Sequence, residues 1–298
     1  MTMFSLTTQI PTVAAGQAAA LAATASGVRI EQAHDLRTLE ELLLVVQKVW
    51  QPAPNNPPIT MALLRALAHS GNYCAVARDD SGVLGVCVGF LAAEPPGSLH
   101  SHIAGVLPAG SGRHIGFALK LDQRAWALER GIDTITWTYD PLVRRNGFFN
   151  AGKLGALPTE YLVDFYGELD DTINAGQRSD RLVATWRLSG SRAVAACGGV
   201  VASPDIESLI KAGAHIAVDE RDDGPVGRRP PAGTTVALVR VPADIEALRA
   251  HDPGLGGRWR SVVRDELGGL LHAGWRVTAV SRSGWYVVER EPGEDQLG

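Results

Sequence analysis

The sequence predicts a mixed α/β protein, a sheet flanked by helices, with a small α/β appendage toward the C-terminus. Three observations lead there. Helical apolar spacing and strand-like alternation succeed one another between residues 28 and 189. A glycine-rich turn, "VLPAGSGRHIGFALKLDQRAWALERG", joins a strand to an amphipathic helix. Past a stretch rich in Gly, Pro and charge, one more strand, helix and hairpin can be read.

Taken in order, the first 28 residues carry no charged side chain and are rich in Ala, Thr and Gly. They lack the basic start of a secretory signal, and Gly16 and Gln17 interrupt the apolar run, so residues 1–27 are expected to be a flexible tail. "GVRIEQAHD" reads as a strand, and "LRTLEELLLVVQKVW" as a helix with Leu36, Leu39, Leu43, Val46 and Trp50 on one face. "QPAPNNPP" breaks it, and a second helix over Thr60 to His69 is expected to be capped by Thr60. Asp79-Asp80-Ser81-Gly82 divides two β-rich runs as a hairpin turn. A strand from Leu99 to Leu107 runs into the glycines. The helix after them stripes Ala118, Leu121, Ala125 and Leu128, leaves Lys120, Gln123 and Arg124 off the stripe, and stops at Gly131. Ile135, Trp137 and Tyr139 alternate with threonines in the next strand, a short helix ends near Gly155, and β-like stretches near Tyr161 to Tyr166 and Leu182 to Leu188 complete the sheet. Residues 189–233 read as linker or loop, with "DERDDGPVGRRPPAG" the clearest part. "TTVALVRVP" is then a strand, "GRWRSVVRDELGGLLHAG" a helix, and "WRVTAVSRSGWYVVER" a hairpin around Ser283-Gly284.

Bulk properties bound the function. The net charge of −4 and the lack of a Lys/Arg block give no field for a nucleic-acid backbone. No run is long enough to span a bilayer. Cys74, Cys87 and Cys197 have neither metal-ligand nor paired-disulfide spacing, which fits a reducing, cytoplasmic setting.

The glycines suit a phosphate in more than one fold. Gly110 to Gly116, with Asp133 about twenty residues on, fits a dinucleotide fingerprint and an NAD(P)-dependent oxidoreductase. The spacing is one residue too long, however, and Asp133 starts the next strand where a ribose-binding acid should end it. No Gly-Lys-Ser/Thr is present for a P-loop. Read as Arg113-x-x-Gly116-x-Ala118, the same stretch resembles the pyrophosphate loop of the GNAT N-acyltransferases. The order of elements over residues 28–189 agrees, and "HSHIAGVLP", "GIDTITWTYDPLVRRN" and "NAGKLGA" resemble a GNAT subgroup with a C-terminal extension. The resemblance implies a mostly antiparallel sheet, a tail at 1–27, an acyltransferase domain at 28–189 and an extension at 190–298. It also implies acetyl-CoA or another acyl-CoA as cosubstrate, with its diphosphate held at a helix N-terminus by Gly112, Arg113, His114, Ile115, Gly116, Phe117 and Ala118. Val106 and Leu107 match the strand end whose backbone pairs with pantetheine.

His102 matches the position of a glutamate general base in part of the family, and a base is useful because an amine must lose a proton to attack a thioester. Alternation is expected to put His100, His102, Ala104 and Val106 on one face. An ordinary hydrogen-bonded histidine in a half-buried sheet is the alternative. His100-x-His102 lacks the further ligands of a metal site, and no metal is expected. Ala151 stands where many members carry a thiolate-protonating tyrosine, so either Tyr139 or water is the expected donor or the thiolate leaves unprotonated, which its modest pKa tolerates. Asn146 and Asn150, a helical turn apart, are candidates for the pantetheine amides or acyl carbonyl, with capping and exposure the alternative. Asp140 is a candidate for holding an acceptor ammonium, or else starts a turn with Pro141. Arg144 and Arg145 bind an acidic acyl group or carboxylate, or lie solvated on a helix face. The expected function is direct transfer of an acetyl, succinyl or similar group to the primary amine of a small, amino-acid-like molecule. The rival within the family is a silent domain that binds acyl-CoA as sensor or scaffold. The appendage is expected either to cap the acceptor site or to mediate a homodimer.

Overall fold

Helix and strand ends follow local chemistry through much of the chain. The computed structural model describes residues 6–53, 56–167 and 178–290. Its elements in chain order are α1 (Leu6–Ala25), β1 (Arg29–Gln32), α2 (Leu36–Trp50), α3 (Met61–His69), β2 (Tyr73–Asp79), β3 (Gly82–Ala92), β4 (Ser98–Val106), α4 (Ile115–Glu129), β5 (Thr134–Tyr139) and α5 (Arg144–Phe148). There follow β6 (Leu157–Leu162), β7 (Arg181–Arg187), α6 (Ser191–Cys197), α7 (Ile206–Lys211), β8 (His215–Arg221), β9 (Gly224–Gly227), β10 (Val236–Arg240), α8 (Ile245–His251), α9 (Pro253–Val263), α10 (Gly269–His272), β11 (Arg276–Val280) and β12 (Trp285–Glu289). They fall into two compact units. Residues 6–53, 56–137 and 187–198 form one, and residues 138–167, 178–186 and 199–290 the other.

In the first unit the strand order is β1-β2-β3-β4-β5, antiparallel except for the parallel β4/β5 pair. Asp35 caps α2 by accepting from the Thr38 amide at 3.0 Å, and the Thr60 hydroxyl caps α3 through the Leu63 amide, as expected. The β2–β3 turn is closed by Asp79, whose Oδ1 accepts from the amide and the hydroxyl of Ser81. Leu39, Leu42, Val45 and Val46 of α2 and Leu64 and Ala68 of α3 pack on Val76, Val86, Val88 and Ile103 of the sheet. The opposite face carries α4.

Two expectations need correction here. Residues 6–25 are a helix, not a flexible tail: an alanine-rich segment has high helix propensity, and Ala15 and Ala19 are buried where α1 lies along α4. Nor does α4 present Lys120, Gln123 and Arg124 to solvent. All three are buried, because the sheet, α1 and the returning segment 187–198 enclose the helix; Arg124 donates twice to the Leu188 carbonyl, at 3.0 and 2.7 Å.

In the second unit, α5 runs into a π-helical segment, Phe149–Leu154, which ends at Gly155 in the left-handed region at φ 72°. β6 and β7 pair antiparallel, with β6 four residues earlier than the pattern suggested. A second, five-stranded sheet has the order β11-β12-β10-β8-β9, with β8/β10 its parallel pair. Residues 189–233 are therefore not a linker. They hold α6, α7, β8 and β9, and "DERDDGPVG" is the β8–β9 hairpin. The divisions at 27/28 and 189/190 do not coincide with the two units: residues 6–25 belong with the first, and residues 138–167 with the C-terminal sheet.

Candidate active site

β4 pairs with β3 along its length but with β5 only at Ser98, Leu99 and His100, opposite Thr134, Ile135 and Thr136. Past that rung β4 continues to Val106 with no further pairing to β5. Two strands that part in this way expose backbone donors and acceptors along a cleft, where an extended ligand can take the place of a strand. Leu107 donates its amide to Leu84 of the β3 strand at 2.8 Å. By strand alternation the Val106 amide faces the other edge, toward the cleft. Val106 thus suits the expected backbone contact, whereas the Leu107 amide is already engaged.

The chain then turns sharply through Pro108–Gly110. Gly110 is closely packed: an added Cβ would lie 2.8 Å from the end of the Ile115 side chain and 2.9 Å from Val106, so one of them would have to move. Gly112 (φ 78°) and His114 (φ 60°) both take the left-handed conformation. For histidine that is an uncommon state, of the kind that collects at ligand clamps. Ile115 and Ala118 are buried beneath the turn, and Phe117 and Ala118 close the first helical turn onto the His114 carbonyl. Among the described residues, none accepts from the backbone N–H groups of Gly112, His114, Ile115 and Gly116. Successive unpartnered amides at the positive end of a 15-residue helix make an anion cradle. Gly116 is open: an added Cβ would meet only Val106, at 3.8 Å.

Arg113 does not flank this cradle with a free charge. Its guanidinium donates to Asp79 at 2.8 Å and to the carbonyls of Ser26 and Gly27, tying the end of α1 to the β2–β3 hairpin. Asp79 is held down to about 2, chiefly by the Ser81 hydroxyl and then by Arg113. Arg113 therefore supports the loop from behind.

His102 lies at a β-bulge. Val88 pairs with Ile103 and Gly89 with Ser101, so His102 is the extra residue between them. The bulge breaks the expected alternation. Ser101 points to Lys120 of α4, Ile103 packs with α2 and α3, and Val106 returns to the α4 side against Gly110 and Gly116. His100 and His102 thus do not share a face with Val106. The ring of His102 stacks loosely with Phe90, 5.9 Å between centroids, and its Nε2 is 3.1 Å from the Pro58 carbonyl. A carbonyl only accepts, so Nε2 carries a proton and donates it. The neighbouring His100 is pushed down to about 4 by burial, with His102 and Lys120 adding to the effect. The two rings are 6.4 Å apart, and no group of three or more metal-ligating side chains is found among the described residues.

The remaining candidates belong to the second unit. Asp140 was expected at an open mouth. It is instead buried, with Oδ2 held at 2.7 Å by both Arg249 and Arg260 while Oδ1 accepts from the Leu142 amide. Burial alone would raise this carboxyl, but Arg260 and Arg249 outweigh it and keep it below the usual range. So engaged, it is not available to hold an ammonium. Tyr139 is buried beside Tyr286, and burial pushes its phenol up, away from easy proton donation. Asn146 is exposed and Asn150 buried, so the two do not present a common face to a ligand. The Asn150 Nδ2 is buried with no partner. Arg145 pairs with Glu246, and Ala151 is buried.

Sequence reasoning missed Lys120. Its Nζ donates to Ser101 Oγ at 2.7 Å and to Gln123 Oε1 at 2.9 Å, and lies 4.0 Å above the Trp137 ring. Burial lowers it to about 8. One signal was available: a lysine three residues from a glutamine, inside an otherwise alanine- and leucine-rich helix.

No family model and no curated protein matches the chain. Solved structures do. Part of the chain is similar to the ribosomal-protein-S18-alanine N-acetyltransferase of Escherichia coli, at 12% identity, 55% of this chain, 96% of that one and a TM-score of 0.45. It is similar to a Salmonella typhimurium protein solved with its cofactor acetyl-CoA, at 16% identity, 60% of this chain, 98% of that one and a TM-score of 0.44. It is also similar to an acetyltransferase of the GNAT family from Streptococcus pneumoniae, at 11% identity, 53% of this chain, 97% of that one and a TM-score of 0.43. Two of these three solved structures are of named acetyltransferases, one of them of the GNAT family, each 12% identical or less to this chain.

Proposed function

We propose that the chain is an acyl-CoA-dependent N-acyltransferase of the GNAT type, acting on the primary amine of a small, amino-acid-like molecule. The observation that carries the reading is the join of a parted strand pair to an anion cradle: the cleft beside β4 runs directly into the unpartnered amides of Gly112, His114, Ile115 and Gly116. A ligand with a diphosphate at one end and an amide-bearing arm fits that sequence of donors. Acyl-CoA has this form and supplies an activated thioester.

In this reading the loop amides bind the diphosphate without a lysine or arginine side chain, and the Val106 amide aligns the arm. His102, whose Nε2 is held by the Pro58 carbonyl, takes the proton from the attacking amine at Nδ1. Proton removal by a positioned imidazole contributes about a hundredfold or more. The oxidoreductase alternative is disfavoured because the Asp133 carboxylate accepts from the Ser189 amide at 2.8 Å, at the start of β5 rather than its end.

The test is calorimetric and thermal-shift titration with coenzyme A, acetyl-CoA, succinyl-CoA and NAD(P)H, on the wild-type chain and on Gly116→Glu. Coenzyme A compounds are expected to stabilise the wild type, by about 2.7 kcal/mol at a hundred times the dissociation constant. The variant, at a position where an added Cβ meets nothing nearer than 3.8 Å, should keep its own melting temperature and lose the ligand effect. Stabilisation by NAD(P)H alone would overturn the reading. An amine screen with the preferred acyl form then identifies the acceptor, and lack of turnover across a broad panel would favour the silent, ligand-sensing alternative.

A further inference from the structure

The cleft has a closed end, and a cation closes it. His100 and Thr136 are the last paired residues of β4 and β5, with the Thr136 hydroxyl and His100 Nδ1 3.4 Å apart on one face. The next residues, Ser101 and Trp137, turn to the other face, and Lys120 reaches up from α4 between them. Its ammonium thus sits under the apex of the V, one helical turn beyond Gly116 of the anion cradle. A buried ammonium with neutral hydrogen-bonding partners is costly to keep unless it meets an anion at some stage. The titratable groups around it are Cys87 of β3 and His100 of β4, while Asp122 of α4 is engaged with the Tyr73 hydroxyl at 2.6 Å. Burial pushes the Cys87 thiol up and His100 down to about 4, so both are neutral at pH 7, and no carboxylate pairs with Lys120 among the described residues.

We propose that the apex of the β4/β5 cleft is a thiolate subsite, in which the Lys120 ammonium holds the sulfur of coenzyme A. The inference rests on the acyl-CoA reading above and names the group that serves the sulfur end of that site. As the carbon–sulfur bond breaks, its electron pair stays on sulfur; the new carbon–nitrogen bond forms from the amine lone pair, and the amine proton passes to His102. One anion and one imidazolium result, and Lys120 faces the anion. No phenol is required.

The test needs no knowledge of the acceptor amine. Coenzyme A with its free thiol is titrated with the full-length chain across pH, and thiolate absorbance is followed as a difference against protein alone, which removes the three native cysteines. Bound to the wild type, the thiol is expected to ionise about one pH unit or more below free coenzyme A. Lys120→Met and Lys120→Gln, which remove the charge but keep a side chain of similar reach, should show no such shift when saturated with coenzyme A. A wild-type complex in which the thiol ionises as it does in free coenzyme A overturns the proposal while leaving the acyl-CoA reading intact. So does a shift that survives in either folded variant. Failure of the wild type to bind coenzyme A at all sinks the acyl-CoA reading itself.

Discussion

His102, Lys120 and Arg113 differ in what their removal should do. On the acyltransferase reading proposed above, His102→Gln removes the base, held at a bulge, without emptying the core. In a turnover assay with a competent acceptor, kcat should fall roughly a hundredfold or more while the KM for acyl-CoA stays near wild type. Arg113→Ala should act the other way: the melting temperature falls by several degrees as the end of α1 comes loose from the β2–β3 turn, while the folded fraction still binds coenzyme A. Lys120 makes a statement about stability and pH. Its folded value of about 8 lies below the unfolded 10.5, so the fold disfavours its charged form. Stability from this group is present above pH 10.5 and is lost as the pH falls toward 8. Lys120→Met should therefore gain most over wild type near neutral pH, and that gain should shrink in chemical denaturation series run toward pH 10. At this scale the sequence was informative where backbone decides and silent where burial decides. Gly112 and Gly116 were legible as a turn from strand to helix, because glycine marks where the backbone turns left-handed or must stay open. The engagement of Arg113 and Asp140 and the burial of Tyr139 were not, since each depends on residues far along the chain, such as Asp79, Arg249 and Tyr286.

Among the elements, α2, α3, the β2–β3 hairpin, β5 and the β11–β12 hairpin follow from local pattern and caps. α4 was legible as a helix too, but its burial was not, because a stripe of Ala118, Leu121, Ala125 and Leu128 marks one buried face and gives no notice that α1 and residues 187–198 bury others. The bulge in β4 was equally silent, for it adds a residue without a turn signal. β4 also approaches α2 closely. An added Cβ at Gly105 would lie 2.5 Å from the Trp50 ring, a rigid neighbour in a packed core. Gly105→Ala should cost about 1–3 kcal/mol in equilibrium unfolding. The same substitution at Gly116, where the nearest atom is at 3.8 Å, should cost far less and be felt in ligand affinity.

At the scale of the molecule, the C-terminal residues complete the second unit. Asp140 shares its charge with Arg249 and Arg260, and Pro141 accepts from the Tyr286 hydroxyl at 2.9 Å. A fragment ending at residue 189 would leave Asp140 without either arginine, and by circular dichroism and NMR it should lack a folded second half. In the whole chain Asp140→Asn should cost about 3–5 kcal/mol. The folded Asp140 lies below its unfolded value near 3.9, so its contribution is present above that pH and is lost as the pH falls through the folded value. The difference between the two proteins should therefore close only in strong acid. The sequence pointed to two regions but misplaced their border, because Gly, Pro and charge at 189–233 mark turns as well as linkers. The return of residues 187–198 to the first unit also has a consequence for synthesis. Until the ribosome has made Leu188 and Ser189, Arg124 and Asp133 have no partners to close on. The N-terminal unit must then wait, unfinished, while most of α5 to β7 emerges, and a holdase chaperone has that interval in which to act.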